Sequence, residues 1–376
     1  MAEEDKQIKK KILIVTNHSY MLWQFRRELI AELMKKYEVV LSMPFVGHEE
    51  DFRDMGVRCV ETAVDRRGIN PITDLKLLAA YWKLIKKEKP DKVITYSIKP
   101  NVYAGILCSV LEIPYCANVQ GLGTSFQKKG LVWFVTVLYK TALRKAEVVF
   151  FENEENAGEF RKRKIISSKK QVILKGAGVN LQHYTYQPYQ EKEKVHFLFL
   201  GRIMKEKGMD ELLYAARKLK GEGYQFVLDL VGFFEDEYEE EVKRLQEEGI
   251  AVFHGFQMET RPYYGIADCV VMPSYHEGMS NVNLEAAATG RVVITTDIPG
   301  CREAVDHEKT GFLCKARDKE SLYKIMKRFL KMSLEERIEM GKGARKKMEW
   351  EFDKDIIVRE TTGVIEGTRK NEGAIS

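Results

Sequence analysis

The sequence lacks several patterns that would place it in well-defined classes of protein. Its six cysteines include no Cys-x-x-Cys pair, which argues against a disulfide framework or a zinc site and favours reduced, mostly buried thiols. The longest apolar run, Leu131 to Tyr139, is about half as long as a membrane-spanning helix needs to be. The segment from Met1 to Lys11 carries charges rather than the apolar centre of a signal peptide. We therefore expect a cytoplasmic protein, with peripheral attachment to the inner face of the cell membrane as an alternative.

The motifs of several enzyme and binding classes are missing as well. No Gly-x-Gly-x-x-Gly follows the first predicted strand, and no P-loop is present, which argues against a nicotinamide-dependent dehydrogenase and a P-loop nucleotidase. The Asp-x-Asp at Asp353 to Asp355 does not end an apolar strand, so we interpret it as the acidic start of a helix. The histidines show no metal-ligand spacing, and nothing resembles an RRM aromatic signature or an RNA-reading repeat. We expect no metal, no organic cofactor and no nucleic-acid partner.

Positive charge is concentrated in the first half of the chain. Residues 1–185 carry 31 Lys and Arg against 21 Asp and Glu, whereas the remainder carries 30 against 35. Such an asymmetry indicates either an anionic partner for the first half or simply a solvated basic surface. A membrane surface, a phosphorylated acceptor and a nucleic acid would all fit the charge alone.

Short β-branched runs alternate with amphipathic stretches along almost the whole chain. In the first half the predicted strands are Lys11–Thr16, Glu38–Met43, Val57–Glu61, Lys92–Tyr96, Tyr115–Val119, Glu147–Glu152 and Gln171–Leu174. In the second half they are Val195–Leu200, Phe226–Val231, Ala251–His254, Cys269–Met272, Val292–Thr295 and Phe312–Cys314. Helical spacing predicts a helix over Asp74–Lys87 with one apolar face formed by Leu75, Leu78, Tyr81, Trp82 and Ile85. It predicts another over Gly208–Lys220 with a face formed by Met209, Leu212, Leu213, Ala216 and Leu219.

This alternation is typical of an α/β protein with two Rossmann-like, doubly wound parallel sheets. We predict one domain over residues 1–185 and a second over residues 186–350, facing each other across a cleft. Residues 351–376 form a C-terminal tail or helix, for which crossing back to the N-terminal domain is one option. In such sheets ligands bind beyond the carboxyl ends of the strands, so the loops there are the candidate sites.

One such loop follows the strand Val195–Leu200. Gly201 lets the backbone turn, Arg202 can fork onto phosphate oxygens, and Lys207 adds a charge at the start of the next helix. Together with the free N–H groups of a helix N-terminus, these residues suit a diphosphate. The alternative is a tight turn whose Arg and Lys are merely solvated.

The second loop follows the strand Cys269–Met272. Gly278, Met279 and Ser280 can present successive backbone N–H groups to an anion, and Ser280 or Asn281 could cap a helix that ends at Gly290. The carboxylates of Glu277 and Glu285 can grip sugar hydroxyls. The alternatives are a loop carboxylate paired with a nearby cation for Glu277 and a solvent-facing helix residue for Glu285.

With both loops in this order within one domain, the sequence resembles the retaining glycosyltransferases of family 4, which have the GT-B fold. The Glu-x(7)-Glu pair of that family is matched by Glu277 and Glu285, and the likeness is densest from Phe199 to Phe312. The resemblance implies that Arg202 and Lys207 bind the donor diphosphate, that Glu285 binds the ribose and that Glu277 contacts the transferred sugar. It further implies donor contacts from the following residues: Gly201, His254, Gly255, Phe256, Gly278, Met279 and Ser280. Among these, the loop at His254, Gly255 and Phe256 would hold the base.

The first half resembles a narrower branch of this family that builds on lipid-linked acceptors. It is similar to N-acetylgalactosaminyl transferases acting on undecaprenyl diphosphate sugars, and to capsular or exopolysaccharide enzymes. The similarity lies in the stretches Arg66–Pro71, Tyr96–Tyr103 and Asn118–Gly123. Two loops depart from the family: many members have a Gly-Gly turn where Asn17-His18-Ser19-Tyr20 stands, and a His where Gln120-Gly121 stands. The candidate residues on the acceptor side are Asn17, His18, Ser19, Tyr96, Lys99, Asn101, Gln120 and Gly121.

The resemblance implies an enzyme that moves a hexose or N-acetylhexosamine from a UDP-sugar to a saccharide acceptor, with retention of the anomeric configuration. The acceptor would be carried on a polyprenyl diphosphate, the pathway would make cell-surface polysaccharide or glycan, and catalysis would rest on Glu277, Arg202 and Lys207 without a metal. Two alternatives stay open: a UDP-sugar epimerase or hydrolase on the same fold, and a non-catalytic nucleotide-binding module.

The segment Gln127–Lys140 combines Lys, Trp, Phe and Tyr with an apolar run. It predicts either a buried helix or an interfacial helix that lies on an anionic membrane. Basic residues at Arg161–Lys164 and Lys169–Lys170 would add attraction to anionic lipid.

Overall fold

A computed structural model describes residues 9–65, 70–121 and 129–368 of the chain. It divides into two compact units, Met1–Ala177 with Ile356–Ser376, and Gly178–Asp355. Each unit contains one parallel sheet with helices packed on it, which confirms the predicted α/β fold class. The predicted boundary between residues 185 and 186 lies slightly further along the chain than the observed division after Ala177.

The first unit is built on a seven-stranded sheet in which every recorded pairing is parallel. Its strands are β1 (Lys11–Val15), β2 (Glu38–Met43), β3 (Arg58–Glu61), β4 (Lys92–Tyr96), β5 (Tyr115–Val119), β6 (Val148–Phe151) and β7 (Gln171–Ile173). The strand order is β3-β2-β1-β4-β5-β6-β7, so the order reverses between β1 and β4. All seven agree with the predicted strands to within a residue or so at each end.

The helices of the first unit follow the strands in alternation. They are α1 (Ser19–Met34), α2 (Glu49–Asp54), α3 (Pro71–Glu88), α4 (Ile98–Leu111), α5 (Lys129–Leu143) and α6 (Glu154–Lys162). Helix α3 begins where the Asn70 side chain accepts hydrogen bonds from the backbone N–H groups of Ile72 and Thr73, and a proline at its first position suits the start of a helix.

The buried face of α3 differs from the predicted one. Tyr81 and Ile85 are buried as expected, but Leu75 and Trp82 are exposed. Apolar residues occupy two sides of this helix, so helical spacing alone cannot decide which side packs on the sheet. The core side is completed by Leu77 and Leu84, and Leu78 is half-buried beside it.

The second unit is built on a six-stranded parallel sheet. Its strands are β8 (Val195–Leu200), β9 (Phe226–Val231), β10 (Ala251–Phe253), β11 (Cys269–Met272), β12 (Val292–Thr296) and β13 (Gly311–Cys314). The order is β10-β9-β8-β11-β12-β13, so β8 and β11 are the neighbours at which the strand order reverses. Parallel sheets of this kind leave a crevice beyond the carboxyl ends of the strands at that point.

Helices cover both faces of the second sheet. They are α7 (Met209–Gly221), α8 (Glu239–Glu247), α9 (Arg261–Ile266), α10 (Asn281–Ala288), α11 (Lys319–Leu330) and α12 (Leu334–Lys347). All five apolar residues predicted to form the face of α7 are buried. That face packs against α11 and the strands in one continuous apolar core, as expected for an amphipathic helix on a sheet.

The chain enters and leaves the second unit side by side. The N–H of Val179 donates to the carbonyl of Phe352 at 2.8 Å, and the N–H of Lys354 donates to the carbonyl of Val179 at 3.1 Å. A last helix, α13 (Lys354–Ile365), starts at this point, and from Ile356 onward it belongs to the first unit. There Val358 and Ile365 are buried in the same apolar cluster as β1 and β2.

Candidate functional site

Three glycines bring the loops after β8, β9 and β10 into close contact at the carboxyl edge of the second sheet. The N–H of Gly201 donates to the carbonyl of Val231, and the N–H of Gly232 donates to the carbonyl of Gly255, both at 2.9 Å. Gly232 has a φ of 150°, and a Cβ at this position would lie 1.8 Å from the carbonyl oxygen of Gly201. Only glycine allows this approach, so the edge is drawn together where a ligand would bind.

The loop that carries Arg202 and Lys207 packs against the loop that carries Glu277. Residues Lys205–Lys207 form a 3₁₀ turn, and α7 starts after Gly208, whose φ is 77°. A Cβ on Gly208 would lie 2.1 Å from the carbonyl oxygen of Pro273. The two loops are therefore held backbone to backbone, across the strands at which the sheet order reverses.

This packing joins Lys207 directly to Glu277. The Nζ of Lys207 donates to the Oε1 of Glu277 at 2.5 Å, and the two side chains are 15% and 14% exposed. This ion pair is largely shielded but still reachable from solvent. A ligand could therefore separate it, with an anionic group of the ligand pairing with the lysine and a hydroxyl donating to the carboxylate. This contact agrees with the sequence-based alternative for Glu277, a loop carboxylate paired with a nearby cation, and that cation is itself a predicted site residue.

Arg202 has a different partner, Glu235, which the sequence reasoning missed. The Nη1 of Arg202 donates to the Oε2 of Glu235 at 2.6 Å, and the Arg202 side chain is 43% exposed. Glu235 lies in the loop after β9, and nothing in its local sequence distinguishes it from its acidic neighbours. The guanidinium thus keeps open donor groups at the carboxyl edge of the sheet.

The turn from Gly278 to Ser280 is pressed against Gly300, which follows β12. Gly300 has a φ of 81°, and a Cβ there would lie 2.5 Å from the carbonyl oxygen of Gly278. The N–H of Ser280 donates to the carbonyl of Gly300 at 2.7 Å. Helix α10 starts after Ser280, yet the Ser280 hydroxyl does not cap it; it is buried, without a hydrogen-bond partner in the described parts of the chain. Met279 is buried.

Glu285 is buried rather than solvent-facing, so the alternative interpretation of this residue is wrong. It is 7% exposed, and the hydroxyl of Tyr264 donates to its Oε2 at 2.7 Å. Burial raises the pKa of Glu285 from 4.5 to about 7, while hydrogen bonds from Tyr264 and Tyr184 and the charge of Lys354 oppose this rise. Neither tyrosine was anticipated, because Tyr184 and Tyr264 are distant from Glu285 in sequence.

The loop after β10 presents an aromatic edge. Phe256 is exposed, and its ring lies 6.1 Å from that of Phe233, also exposed, in an edge-to-face arrangement. Gly255 has a φ of 68°, which lets the chain turn between His254 and Phe256. The sequence reasoning did not single out Phe233; its position directly after the glycine that ends β9 was the available signal.

In the first unit, three predicted acceptor-side residues, Asn17, Lys99 and Gln120, each have a side-chain contact with another residue. The Oγ of Ser97 donates to the Oδ1 of Asn17 at 2.8 Å. Asn17 follows β1 and Ser97 follows β4, the two neighbouring strands at which the strand order reverses. The remaining two contacts are Lys99 Nζ to Asp74 Oδ1 at 2.8 Å and Gln120 Nε2 to Met21 Sδ at 3.8 Å. Gly121 is the last residue described before residue 129.

Most of the other acceptor-side candidates are buried and contact residues inside the first unit. Ser19 is buried, and its Oγ accepts a hydrogen bond from the N–H of Val46. Asn101 is buried between β4 and β5, bonded to Thr95 and to the carbonyl of Asn118. Tyr96 lies in the core beneath Arg26, and His18 is the extended residue before α1. Residues 66–69 and 122–123 of the acceptor-side motifs, and residues 127–128 of the segment Gln127–Lys140, lie outside the described part of the chain.

Helix α5 exposes several of its large apolar side chains. Trp133 is 74% exposed, and Phe134 and Val137 are also exposed, whereas Tyr139 is buried. Over the described residues, no helix has both the length and the apolar character needed to cross a membrane.

The Asp353 to Asp355 segment starts a helix. The Oδ1 of Asp353 accepts a hydrogen bond from the N–H of Asp355 at 3.0 Å, and Asp355 lies in the first turn of α13. Over residues 9–65, 70–121 and 129–368, no three His, Cys, Asp or Glu side chains are grouped so that they could hold a metal ion.

Comparison with known proteins identifies the family. The profile of Glycosyl transferases group 1 matches residues 186–347, and that of Glycosyl transferase 4-like matches residues 11–153. The N,N'-diacetylbacillosaminyl-diphospho-undecaprenol alpha-1,3-N-acetylgalactosaminyltransferase of Campylobacter jejuni is 28% identical over 321 residues, which cover 80% of this chain and 84% of that protein. The capsular polysaccharide biosynthesis glycosyltransferase CapM of Staphylococcus aureus is 29% identical over 316 residues, or 78% and 81% of the two chains.

A solved structure extends the match to the fold. The structure of Anabaena HepE in complex with UDP and glucose superposes with a TM-score of 0.78 at 16% identity, covering 95% of this chain and 100% of that chain. The chain is therefore a glycosyltransferase of the group 1 and 4-like families, and it has the GT-B fold.

Proposed function

We propose that this enzyme transfers a hexose or N-acetylhexosamine from a UDP-sugar to a saccharide acceptor carried on a lipid diphosphate, in the synthesis of a cell-surface polysaccharide or glycan. The anomeric configuration is retained. The observation that carries the donor half of the proposal is the contact between Lys207 and Glu277 beside the strands β8 and β11. A cation for the diphosphate and a carboxylate for the sugar are thereby held together at one edge. Structures of a fold relative with UDP and with UDP-glucose support the choice of donor.

In this proposal the ion pairs of Arg202 and Lys207 exchange partners when the donor binds. The diphosphate replaces Glu235 on Arg202 and Glu277 on Lys207, and Glu277 then accepts hydrogen bonds from the sugar hydroxyls. The buried Ser280 hydroxyl gains a partner in the sugar diphosphate. Phe233 and Phe256 offer apolar edges to the base. Glu285, held by Tyr264 and Tyr184, accepts hydrogen bonds from the ribose hydroxyls.

The reaction breaks the bond between the anomeric carbon and the diphosphate oxygen, and UDP leaves with the electron pair. The acceptor hydroxyl forms the new bond on the same face, and its proton passes to the departing phosphate oxygen. Arg202 and Lys207 are fixed before the reaction and stabilise the charge that develops on the leaving group. Since two cationic side chains carry this charge, we expect EDTA to leave turnover unchanged.

The donor roles are tested by two substitutions with opposite signatures. Glu277→Ala should lower turnover by about a hundredfold or more with little change in the Kd for UDP. Arg202→Ala should raise the Kd for UDP about tenfold, the loss expected for a charge-assisted hydrogen bond. Calorimetry with UDP and a coupled assay of UDP release measure both quantities. Arg217→Ala is the matched control, because Arg217 is a similarly exposed arginine paired with Glu241 on another surface.

The same assay separates the proposal from its alternatives. UDP release that requires a saccharide acceptor indicates transfer, whereas release at the same rate without an acceptor indicates a hydrolase. Conversion of the UDP-sugar without release of UDP indicates an epimerase. Unchanged UDP affinity in Arg202→Ala would contradict the role of that arginine.

The acceptor half of the proposal draws support from the names of relatives. The Campylobacter jejuni relative and an Escherichia coli galactosyltransferase, 25% identical over 312 residues, are both named for diphosphoundecaprenol substrates. In the first unit, Asn17 follows β1 at the reversal point, and Gln120 follows β5, which pairs with β4. They would face a saccharide on the carboxyl edge of that sheet.

We also propose that the first unit docks on an anionic membrane surface. Helix α5 exposes Trp133 and Phe134, and the outer side of α3 exposes Leu75 and Trp82. Helix α4 contacts both of these helices. The Nζ of Lys86 lies 5.3 Å from the Trp82 ring. Exposed aromatic residues interleaved with lysines are typical of interfacial helices. The excess of basic residues in the first half supplies the matching charge.

The membrane proposal predicts binding to vesicles that contain phosphatidylglycerol, weakened by salt. Trp133→Gln and Trp82→Gln should each reduce the bound fraction several-fold in a flotation assay. Trp350→Gln is the matched control, because Trp350 is 81% exposed but lies in the second unit. Binding to neutral vesicles as strong as binding to phosphatidylglycerol vesicles would contradict the proposal. So would sedimentation that shows self-association lost in Trp82→Gln and Trp133→Gln, if the wild-type chain binds no vesicles.

A further inference from the structure

A buried carboxylate on β9 lies between two histidines of neighbouring segments. Asp229 is 3% exposed. Its Oδ2 is 2.7 Å from the Nδ1 of His196 on β8, and its Oδ1 is 2.8 Å from the Nε2 of His254 after β10. A buried carboxylate is unfavourable unless donors satisfy its oxygens, and here an imidazole serves each oxygen.

This arrangement determines which ring nitrogens carry hydrogen. A carboxylate accepts hydrogen bonds and does not donate them, so both nitrogens that face Asp229 must be protonated. His196 is therefore protonated at Nδ1 and His254 at Nε2. The Nε2 of His254 faces Asp229 on β9, and the centroid of its ring lies 4.9 Å from that of the Tyr263 ring.

The backbone around His254 is held as firmly as its ring. The N–H of His254 donates to the carbonyl of Leu230 at 2.9 Å, and the Nε2 of Gln257 donates to the carbonyl of His254 at 2.7 Å. The carbonyl of the next residue, Gly255, accepts from Gly232. The chain then turns and exposes Phe256 beside Phe233. The residue that Asp229 holds is thus the first residue of the loop proposed to receive the base.

We propose that Asp229 is a positioning residue that fixes His254, and through it the loop from His254 to Phe256, in the geometry that receives the nucleoside base of the donor. This inference rests on the proposed function, because it assumes a nucleotide donor at this edge. His196 donates a hydrogen bond to the other carboxylate oxygen of Asp229, Oδ2. The backbone N–H of His196 donates to the Oδ2 of Asp268 at 2.8 Å, which fixes the backbone of His196 near the amino end of β8.

The test is Asp229→Asn, which keeps the size of the side chain but replaces one acceptor oxygen with a donor. The Kd for UDP and the KM for the UDP-sugar should rise about tenfold, while kcat changes less than about twofold. The Kd for inorganic pyrophosphate, which has no base, should be unchanged. Asp268→Asn is the matched control, because Asp268 is an equally buried aspartate near His196 that does not touch His254. It should leave the Kd for UDP unchanged.

A spectroscopic measurement tests the hydrogen positions independently. Nitrogen-15 correlation spectra of the wild-type chain should show His196 protonated at Nδ1 and His254 at Nε2, and Asp229→Asn should change the His254 pattern. Loss of UDP and pyrophosphate binding together in Asp229→Asn would overturn the positioning role, as would unchanged affinity for both. A wild-type chain that binds no UDP would instead contradict the proposed donor, whatever the histidine spectra show.

Discussion

At the scale of single residues, the two glutamates of the donor loop differ in environment although they belong to one motif. Glu277 is paired with Lys207, and in the proposed function it exchanges that partner for the sugar. Glu285 is buried beneath Tyr264, and burial raises its pKa to about 7. The first is suited to contact with a reacting sugar, and the second to a fixed grip on a neutral diol.

The raised pKa of Glu285 predicts a pH dependence of stability. Below pH 4.5 the acid is protonated in both the folded and the unfolded chain. Between pH 4.5 and about 7 the unfolded chain releases this proton while the folded chain retains it, so the free energy of unfolding falls as pH rises and levels off above about 7. Glu285→Gln lacks this loss. Its stability relative to the wild type should be greater at pH 8 than at pH 5 by roughly 2 kcal/mol.

Chemical denaturation at the two pH values measures this difference, since other titrating groups are common to both chains. Tyr264→Phe serves as a second variant. It removes a hydrogen bond that favours the ionised acid, so the fall in stability should continue to a higher pH. An equal effect of Glu285→Gln at both pH values would show that the acid has an ordinary pKa in the folded chain.

At the scale of elements, the positions of the loops proposed to bind the donor depend on glycines that admit close backbone contacts. Gly208 admits Pro273, Gly232 admits Gly201, and Gly300 admits the Glu277–Gly278 backbone. Each contact joins loops that follow different strands. The geometry of the proposed donor site is therefore set by contacts between loops more than by any single loop.

Gly300→Ala should displace the proposed donor loop, in addition to straining the backbone at residue 300. Its new Cβ would lie 2.5 Å from the carbonyl oxygen of Gly278 and 2.7 Å from that of Glu277, so the loop must shift. We expect a loss of turnover of about tenfold or more. Gly223→Ala is the matched control, because Gly223 has a φ of 85° but nothing within 4 Å of the added Cβ.

Both substitutions share the cost of the left-handed conformation, about 1 kcal/mol. Thermal unfolding measures that common term, and the turnover assay measures the difference between them. Equal turnover in the two variants would mean that the Glu277–Gly278 backbone tolerates displacement.

The helix α3 illustrates a different limit at this scale. Helical spacing identified the helix but assigned Leu75 and Trp82 to its buried side, whereas both are exposed. Two apolar stripes fit the same period, and only the position of the sheet selects one of them. The second stripe is left at the surface, where it contributes to the proposed membrane contact.

At the scale of the whole molecule, the last helix completes the first unit after the chain has passed through the second. Val358 and Ile365 of α13 are buried in the cluster of β1 and β2. The Nζ of Lys92 donates to the carbonyl of Ile365 at 2.6 Å, and Lys36 pairs with Glu366 at 2.8 Å. The first unit is therefore continuous in space but not in sequence.

Truncation after Asp355 should destabilise the first unit by roughly 4 kcal/mol, the value of burying two aliphatic side chains. Calorimetry should show a lower Tm for one transition. Truncation after Thr368, which keeps all of α13, is the control and should leave the Tm unchanged. Equal Tm values for the two truncated chains would contradict the structural role of α13.

Much of this architecture was determined by local sequence patterns. Alternating β-branched and amphipathic segments identified every strand of both sheets to within a residue or so. The glycines and charges after β8 and β11 predicted the loops of the proposed donor site. These signals can be read from the sequence because the spacing of apolar residues and the residues that form turns are both local features of the chain.

The tertiary structure alone decided which side chains meet. Glu235 as the partner of Arg202, the tyrosines over Glu285 and the histidines around Asp229 all come from segments that are distant in sequence. Such contacts arise where loops from non-adjacent parts of the chain converge at the edge of a sheet. The sequence immediately around each of these residues does not indicate that the loops converge.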